Sequence, residues 1–392
     1  MATAVKDALT GVDGRVVAEN RLAWMALVST PGMGATRTLR AMSRLDAPAQ
    51  LFAATLTELE GLGMPAASAK FVFEGKARAA AVKEIEQLEE QGAGFLTHDC
   101  PAYPDRLREI YDPPAVLWYR GDTSLLAKPG IAVVGTRHPT PYGAGMAQML
   151  SRELAARGMV ILSGMARGVD TKAHEGALEA RGKTVAVWGT GVDVIYPKEN
   201  KRLAEGILAG GGCILSEYPL GTFPAPQNFP VRNRILSGIS VGVLVVEAAE
   251  HSGTRITARC AMEQNRDVYA VPGNVTNKGS WTPNTLIKQG AKLTATWEDI
   301  WEDLPSQVRL ELEDGFESDA GQVASLFDER ELPQAERVVF EQLRADESVQ
   351  LDELIERLEG KLQSPEIFTA LFELELAGRI RTLPGKHYVK TF

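Results

Sequence analysis

Cysteine is scarce in this 392-residue chain: Cys100, Cys213 and Cys260 are odd in number, far apart and never in a CxxC. That argues against a disulfide framework or a zinc knuckle. Histidine is nearly as sparse, and His98, His138, His174, His251 and His387 show no metal-ligand clustering, so neither metal nor cofactor is expected. No apolar run approaches the roughly 20 residues a bilayer-spanning helix needs, so no membrane partner is expected either. The N-terminus carries Lys6, Asp7, Asp13, Arg15 and Glu19 and lacks the apolar stretch of a signal peptide, which makes a cytoplasmic protein the expectation. Also missing are a GxGxxG dinucleotide fingerprint and a GxxxxGK(S/T) phosphate loop, which argues against NAD binding and ATP hydrolysis by those routes.

What remains is an ordinary globular mixture, 44% hydrophobic and 24% charged, long enough for two or three domains. The net charge of −9 is unevenly spread. Residues 306–392 hold 10 basic against 19 acidic side chains and supply all of it, while 1–94 and 95–305 are close to neutral. Local potential, rather than the whole-chain sum, steers a polyanion, so the acidic total excludes nothing.

Residues 1–94 read as a small helical domain of the SAM or helix-hairpin-helix kind. Apolar positions recur at helical spacing around the glycine turns Pro31-Gly32-Met33-Gly34 and Gly61-Leu62-Gly63. Such turns serve either as plain bundle corners or as phosphate contacts, and both readings stay open. In 95–305 continuous apolar runs at 131–135, 159–163, 184–188, 213–216, 242–247 and 268–271 alternate with amphipathic stretches. That pattern predicts an α/β, Rossmann-like, doubly wound and mostly parallel sheet. Residues 306–332 read as an acidic linker, and 333–392 as a helix–helix–helix–hairpin winged helix. Its third helix is acidic, which suits a protein contact or an end cap better than a major groove.

Ligands of open α/β sheets sit beyond the strand C-termini. Here those loops hold Gly135-Thr136-Arg137, Ser163-Gly164-Met165-Ala166-Arg167, Phe229-Pro230-Val231-Arg232-Asn233-Arg234 and Ser252-Gly253-Thr254. Glycines, helix starts near Thr140, Asp170 and Thr254, and four arginines describe a phosphate site. Asp170, His174, Glu217 and Glu247 are the acid–base candidates. The simpler reading has Asp170 capping a helix and His174 packing locally, with the glutamates either reactive or orienting the arginines.

Taken in order, these motifs resemble the DNA-processing protein A family (DprA, also called Smf). Tyr103-Pro104, Asp112-Pro113-Pro114, Ser216-Glu217-Tyr218, Asn228-Phe229-Pro230 and Val271-Pro272-Gly273 belong to the same set. The dense part of the resemblance spans about 95–295. Two positions depart from the family pattern: an expected SGSL reads Ser252-Gly253-Thr254-Arg255, and the usual glycine before Asn284 is Pro283.

The resemblance implies a non-catalytic protein that binds single-stranded DNA, forms a homodimer and helps load RecA during natural transformation. Carried over by motif, Arg137 meets backbone phosphate, and Phe229, Arg232 and Arg234 line the same groove. Ile287, Leu293, Trp297 and Ile300 are the apolar candidates for the dimer surface. A phosphoribohydrolase-like nucleotide hydrolase is the alternative, but Thr257 stands where its catalytic glutamate belongs, so that likeness is one of fold alone. A small-nucleotide sensor on the same loops is the third reading.

The charge distribution generates one prediction. Deleting the acidic C-terminal region should leave single-strand affinity equal or higher in a titration at fixed salt, and a large loss would show that this region reads DNA.

Overall fold

The computed structural model describes residues 12–313, 333–343, 349–358, 360–376, 380–383 and 385–390. The chain divides into two compact units, Met1–Phe316 and Glu317–Phe392.

Five helices open the first unit: α1 (Val12–Val28), α2 (Ala35–Met42), α3 (Leu56–Gly61), α4 (Ala66–Phe73) and α5 (Lys76–Glu90). Two hairpin turns join them, α1 to α2 and α3 to α4. Each depends on a glycine in left-handed backbone, Gly32 (φ 82°) and Gly63 (φ 88°). Thr55 caps α3 reciprocally with Glu58, satisfying two N–H groups that the helix leaves unpaired. The helices are anchored to the sheet region. Glu84 on α5 accepts hydrogen bonds from Trp118 Nε1 (2.9 Å) and Leu220 N (2.8 Å), and Ala81 and Leu88 share a core cluster with Phe95, Val116 and Trp188.

The sheet strands are β1 (Gly94–Thr97), β2 (Val116–Gly121), β3 (Gly130–Val134), β4 (Val160–Ser163), β5 (Thr184–Trp188), β6 (Cys213–Ser216), β7 (Gly242–Val245), β8 (Asp267–Ala270) and β9 (Lys292–Leu293). Their spatial order is β1-β2-β6-β5-β4-β3-β7-β8-β9, with β1–β2 and β2–β6 antiparallel and the remaining pairs parallel. The helices between them are α6 (Asp105–Arg108), α7 (Pro141–Ala155), α8 (Val169–Glu179), α9 (Lys201–Ala209), α10 (Asn228–Ile239), α11 (Thr254–Glu263), α12 (Trp281–Lys288) and α13 (Glu298–Trp301).

Strand β3 shows why apolar runs without alternation mark a doubly wound sheet. Ile131 and Val133 pack with Leu150 of α7 and Ala173 of α8, whereas Ala132 and Val134 pack with Ile235 of α10 and Ala258 of α11. Both faces are covered, so every position is apolar. The chain reverses its direction of winding between β3 and β7, which puts the topological switch point at the loops after those two strands.

Three expectations change. The antiparallel pair β1–β2 and the edge strand β9 extend the sheet beyond the six runs read from sequence. Residues 228–234, read as loop, open helix α10. Residues 306–313, read as solvated linker, are helical and bury Val308 and Leu312 beside Ile300 and Leu304. A truncation that tests the charge argument is therefore cut after Phe316 rather than Pro305. The rest of the expected linker, 314–332, lies outside the described residues.

In the second unit come a helix Gln334–Gln342, strand β10 (Val349–Gln350), helices Leu351–Arg357 and Ser364–Leu376, and strands β11 (Ile380–Leu383) and β12 (His387–Lys390), sheet order β10-β12-β11. This is a winged helix around Leu354, Ile367, Leu371 and Leu374. Its third helix leaves Phe368 and Phe372 50% and 63% exposed.

Candidate nucleic-acid interface

A cavity of about 1090 Å³ opens at the switch point. Ten of the thirteen residues expected at the site line it: Gly135, Thr136 and Arg137 after β3, Gly164 after β4, Phe229, Arg232 and Asn233 on α10, and Ser252, Gly253 and Thr254 before and at the start of α11. Ser163, Arg167 and Arg234 do not.

The loop after β3 is held from two sides. Thr136 N donates to the Glu247 carbonyl (2.6 Å), while Thr140 donates through N (2.8 Å) and Oγ1 (2.6 Å) to the Glu247 carboxylate. Opposite, Thr254 Oγ1 donates to the Gly135 carbonyl (3.1 Å). Arg137 emerges exposed from this fixed loop, and its guanidinium carbon lies 5.9 Å from the Phe229 ring centre. No carboxylate pairs with it among the described residues. Tyr196 adds a second ring, its centroid 5.5 Å from that of Phe229.

The arginines of α10 part company because of helical phase. Two residues apart on a helix means about 200° apart around it. Arg232 turns to the groove floor, 5% exposed, where Nη1 donates to the carbonyls of Gly164 (2.9 Å) and Val187. A side chain at position 164 would meet this guanidinium at 2.7 Å, so the close approach requires glycine. Arg232 Nε is buried without a protein partner. Burial pulls the Arg232 pKa down and Asp170 opposes that; burial pushes the Asp170 carboxyl up, against Arg232 and the amides of Ala166 and Gly164.

Arg234 faces away from the groove. Its Nη1 and Nη2 donate to the two Glu217 oxygens (2.7 and 2.6 Å), and Nε donates to Asp112 Oδ2 (2.9 Å). Burial alone would lower its pKa, but these bonds carry it up. The expectation that Arg234 lines the groove is therefore replaced by a structural role. Arg167 is exposed but tied to Glu199 (2.5 Å), and Ser163 is fully buried, donating to the Val133 carbonyl (2.7 Å).

The acid–base candidates are engaged as well. Glu217 holds Arg234 and Glu247 holds Thr140. Asp170 lies in the first turn of α8 without being its cap, which is Gly168, and it accepts from Ala166 N (3.2 Å). His174 is fully buried, with Nδ1 2.7 Å from Thr184 Oγ1. That hydroxyl already donates to the Ile161 carbonyl, so Nδ1 is the donor, and the burial of Nε2 without a partner favours the neutral ring. Burial pushes the His174 pKa down to about 3.

Trp281, Lys278, Tyr196 and His251 also line the groove. Sequence reasoning misses them because they are isolated residues in loops and at helix starts, without a repeating pattern; the departure at Arg255, which lies over Trp281, is the available signal.

These placements make two outcomes testable. Arg234→Ala should cost about 3 kcal/mol by leaving the part-buried Glu217 unpaired, seen as a lower melting temperature, with single-strand affinity kept in the folded fraction. For His174, the unfolded chain takes up a proton below pH 6.5 that the folded chain refuses until about 3, so its contribution to stability falls as pH drops through that window. His174→Asn, which keeps a donor toward Thr184, should lose up to about 1.4 kcal/mol per pH unit of that slope. Urea denaturation at pH 7 and 5 checks this, and subtracting the variant removes the opposite contribution of Asp170.

The sequence matches the family model for DNA recombination-mediator protein A over residues 94–305 and that for the DprA winged helix domain over 325–386. Protein Smf of Escherichia coli is 41% identical over 76% of this chain and 78% of its own. The X-ray structure of DNA processing protein A from Streptococcus pneumoniae superposes with a TM-score of 0.63 at 34% identity, covering 74% of this chain and 97% of its own. DNA processing protein A from Helicobacter pylori, described for its single-stranded DNA binding mode, is 33% identical over 57% of this chain and 96% of its own, TM-score 0.49. The chain belongs to the DNA recombination-mediator protein A family, to which the DprA and Smf proteins belong.

Proposed function

We propose that the groove at the switch point binds single-stranded DNA without acting chemically on it, and that the protein passes the strand to RecA during natural transformation. One observation carries the binding half: Arg137 stands exposed and without a carboxylate partner among the described residues, beside the Phe229 ring. A cation for phosphate next to a ring for a base makes a sequence-tolerant single-strand site. The start of α11, beside Ser252–Thr254, adds its positive dipole end to the same cavity, while the amides of Ser252, Thr254 and Arg255 are spent inside the turn.

A non-catalytic role is supported by the commitment of Asp170, Glu217 and Glu247 to structural bonds and by the presence of Thr257, buried, where a hydrolase would need a carboxylate. RecA, the homodimer and a cytoplasmic setting enter with family membership. Of the candidate dimer residues, Ile300 is fully buried and Ile287 and Trp297 pack against the core, while Leu293 is 47% exposed on edge strand β9. An open edge of this kind suits pairing with a second copy. The division into a helical region 1–94, a DNA-binding region 95–305, a linker and a winged helix 333–392 belongs to the same proposal. No described helix is long and apolar enough to cross a membrane.

Fluorescence anisotropy with an oligothymidylate at several salt concentrations tests the site. Arg137→Ala should weaken binding and flatten the salt dependence by about 0.7 log units per log unit of salt. Phe229→Ala should cost roughly 1–3 kcal/mol with an unchanged slope, because stacking releases no counterions. Unchanged affinity in a well-folded Arg137→Ala protein would refute the assignment.

A further inference from the structure

Across the switch point from Phe229, the groove carries a second aromatic station. Trp281 is the first residue of α12, 38% exposed, and lines the cavity with Lys278. The Arg255 guanidinium carbon lies 5.2 Å from its ring centre, held by a bond from Nη1 to the Glu250 carbonyl (2.8 Å). The start of α12 is fastened to the loop beyond β7, since Thr282 donates from N to the Ala248 carbonyl (3.0 Å) and from Oγ1 to that of Ala249 (2.8 Å). Pro283, third in the helix, lacks an N–H where a first turn would leave one unpaired, and its fixed φ suits that turn. Arg255 over the ring and Pro283 in the same first turn thus both neighbour Trp281.

We infer that Trp281 is a second base-stacking residue and that Arg255 positions its indole, so one strand occupies two stations. The inference rests on the single-strand reading of the groove. Phe229 lies against Gly189 at the end of β5, whereas Trp281 lies beside Ala248 beyond β7. The ends of β4 and β3 run between them. A strand that stacks on both rings crosses those ends, passing Arg137 and the start of α11. The cation over the ring holds the indole in one orientation before DNA arrives, which lowers the entropy cost of stacking.

The test is an oligothymidylate titration of the full chain at two salt concentrations, with melting temperature as the folding check. Trp281→Leu keeps an apolar side chain without a ring and should weaken binding about tenfold at unchanged salt slope, while Trp281→Phe should keep most of the affinity. Arg255→Leu should weaken binding in the wild-type background and have no further effect beside Trp281→Leu, because it acts through the ring. Equal affinity of wild type and Trp281→Leu, with Arg137→Ala still weakened, would overturn the second station and leave the first intact. An independent loss from Arg255→Leu in the Trp281→Leu background would overturn the positioning role. Failure of the wild type itself to bind would overturn the reading beneath both.

Discussion

The Glu247 carboxylate, 2% exposed at the end of the strand run that forms β7, is the tie on which the groove depends. It accepts both hydrogen bonds that Thr140 has to give, and its own carbonyl accepts Thr136 N, so the loop after β3 is stitched to the neighbouring strand across the switch point. Burying a carboxylate is costly unless its oxygens are satisfied, and here two donors from one residue do so. The fit extends to Gly143: a side chain there would meet the carboxylate at 2.4 Å. With the loop fixed, Arg137 needs to order only its own side chain to meet a phosphate, which is where preorganisation gains affinity.

Four arginines near the strand ends show how one residue type divides into separate duties. Arg137 is exposed and makes no ion pair among the described residues, Arg167 is exposed but paired with Glu199, Arg232 is sunk into the floor and Arg234 is locked in a bidentate pair. Sequence places all four in glycine-rich company and cannot sort them. The sorting comes from helical phase on α10, which sends Arg232 and Arg234 to opposite sides, and from which carboxylate lies within reach. Arg232 is the intermediate case: its carbonyl partners satisfy one nitrogen, while Nε faces no protein acceptor.

The same contrast explains what is readable without coordinates. Parallel strands buried on both faces announce themselves as unbroken apolar runs, so β3 through β8 are legible within a residue or two. Strand β1 is short, and β2, though six residues long, ends in Tyr119, Arg120 and Gly121, which break the apolar run and hide it. Residues 228–234 read as loop because Asn-Phe-Pro is turn chemistry, yet proline in the first turn of a helix is also ordinary. The groove is legible as a cluster of loops since topology guarantees that strand C-termini converge. Its far wall is not, because Trp281 and Lys278 come singly after the last central strand and no spacing rule ties them to Phe229.

The groove's charge pattern bears on how selective it can be. Its cations are few, and two of the four arginines in its neighbourhood are neutralised by carboxylates, so attraction to any polyanion is modest and rests on Arg137 in the loop after β3 and on Lys278 and Arg255 at the far wall. Within the winged helix, the third helix pairs exposed Phe368 and Phe372 with Glu366, Glu373 and Glu375, a surface that repels phosphate rather than reading bases. A duplex keeps its bases stacked on one another and offers only phosphate to such a protein, whereas a single strand offers phosphate and free ring faces together. With weak cations, the rings must supply much of the binding. On the proposed reading of the groove, that biases the site toward the single strand without any contact that distinguishes one base from another.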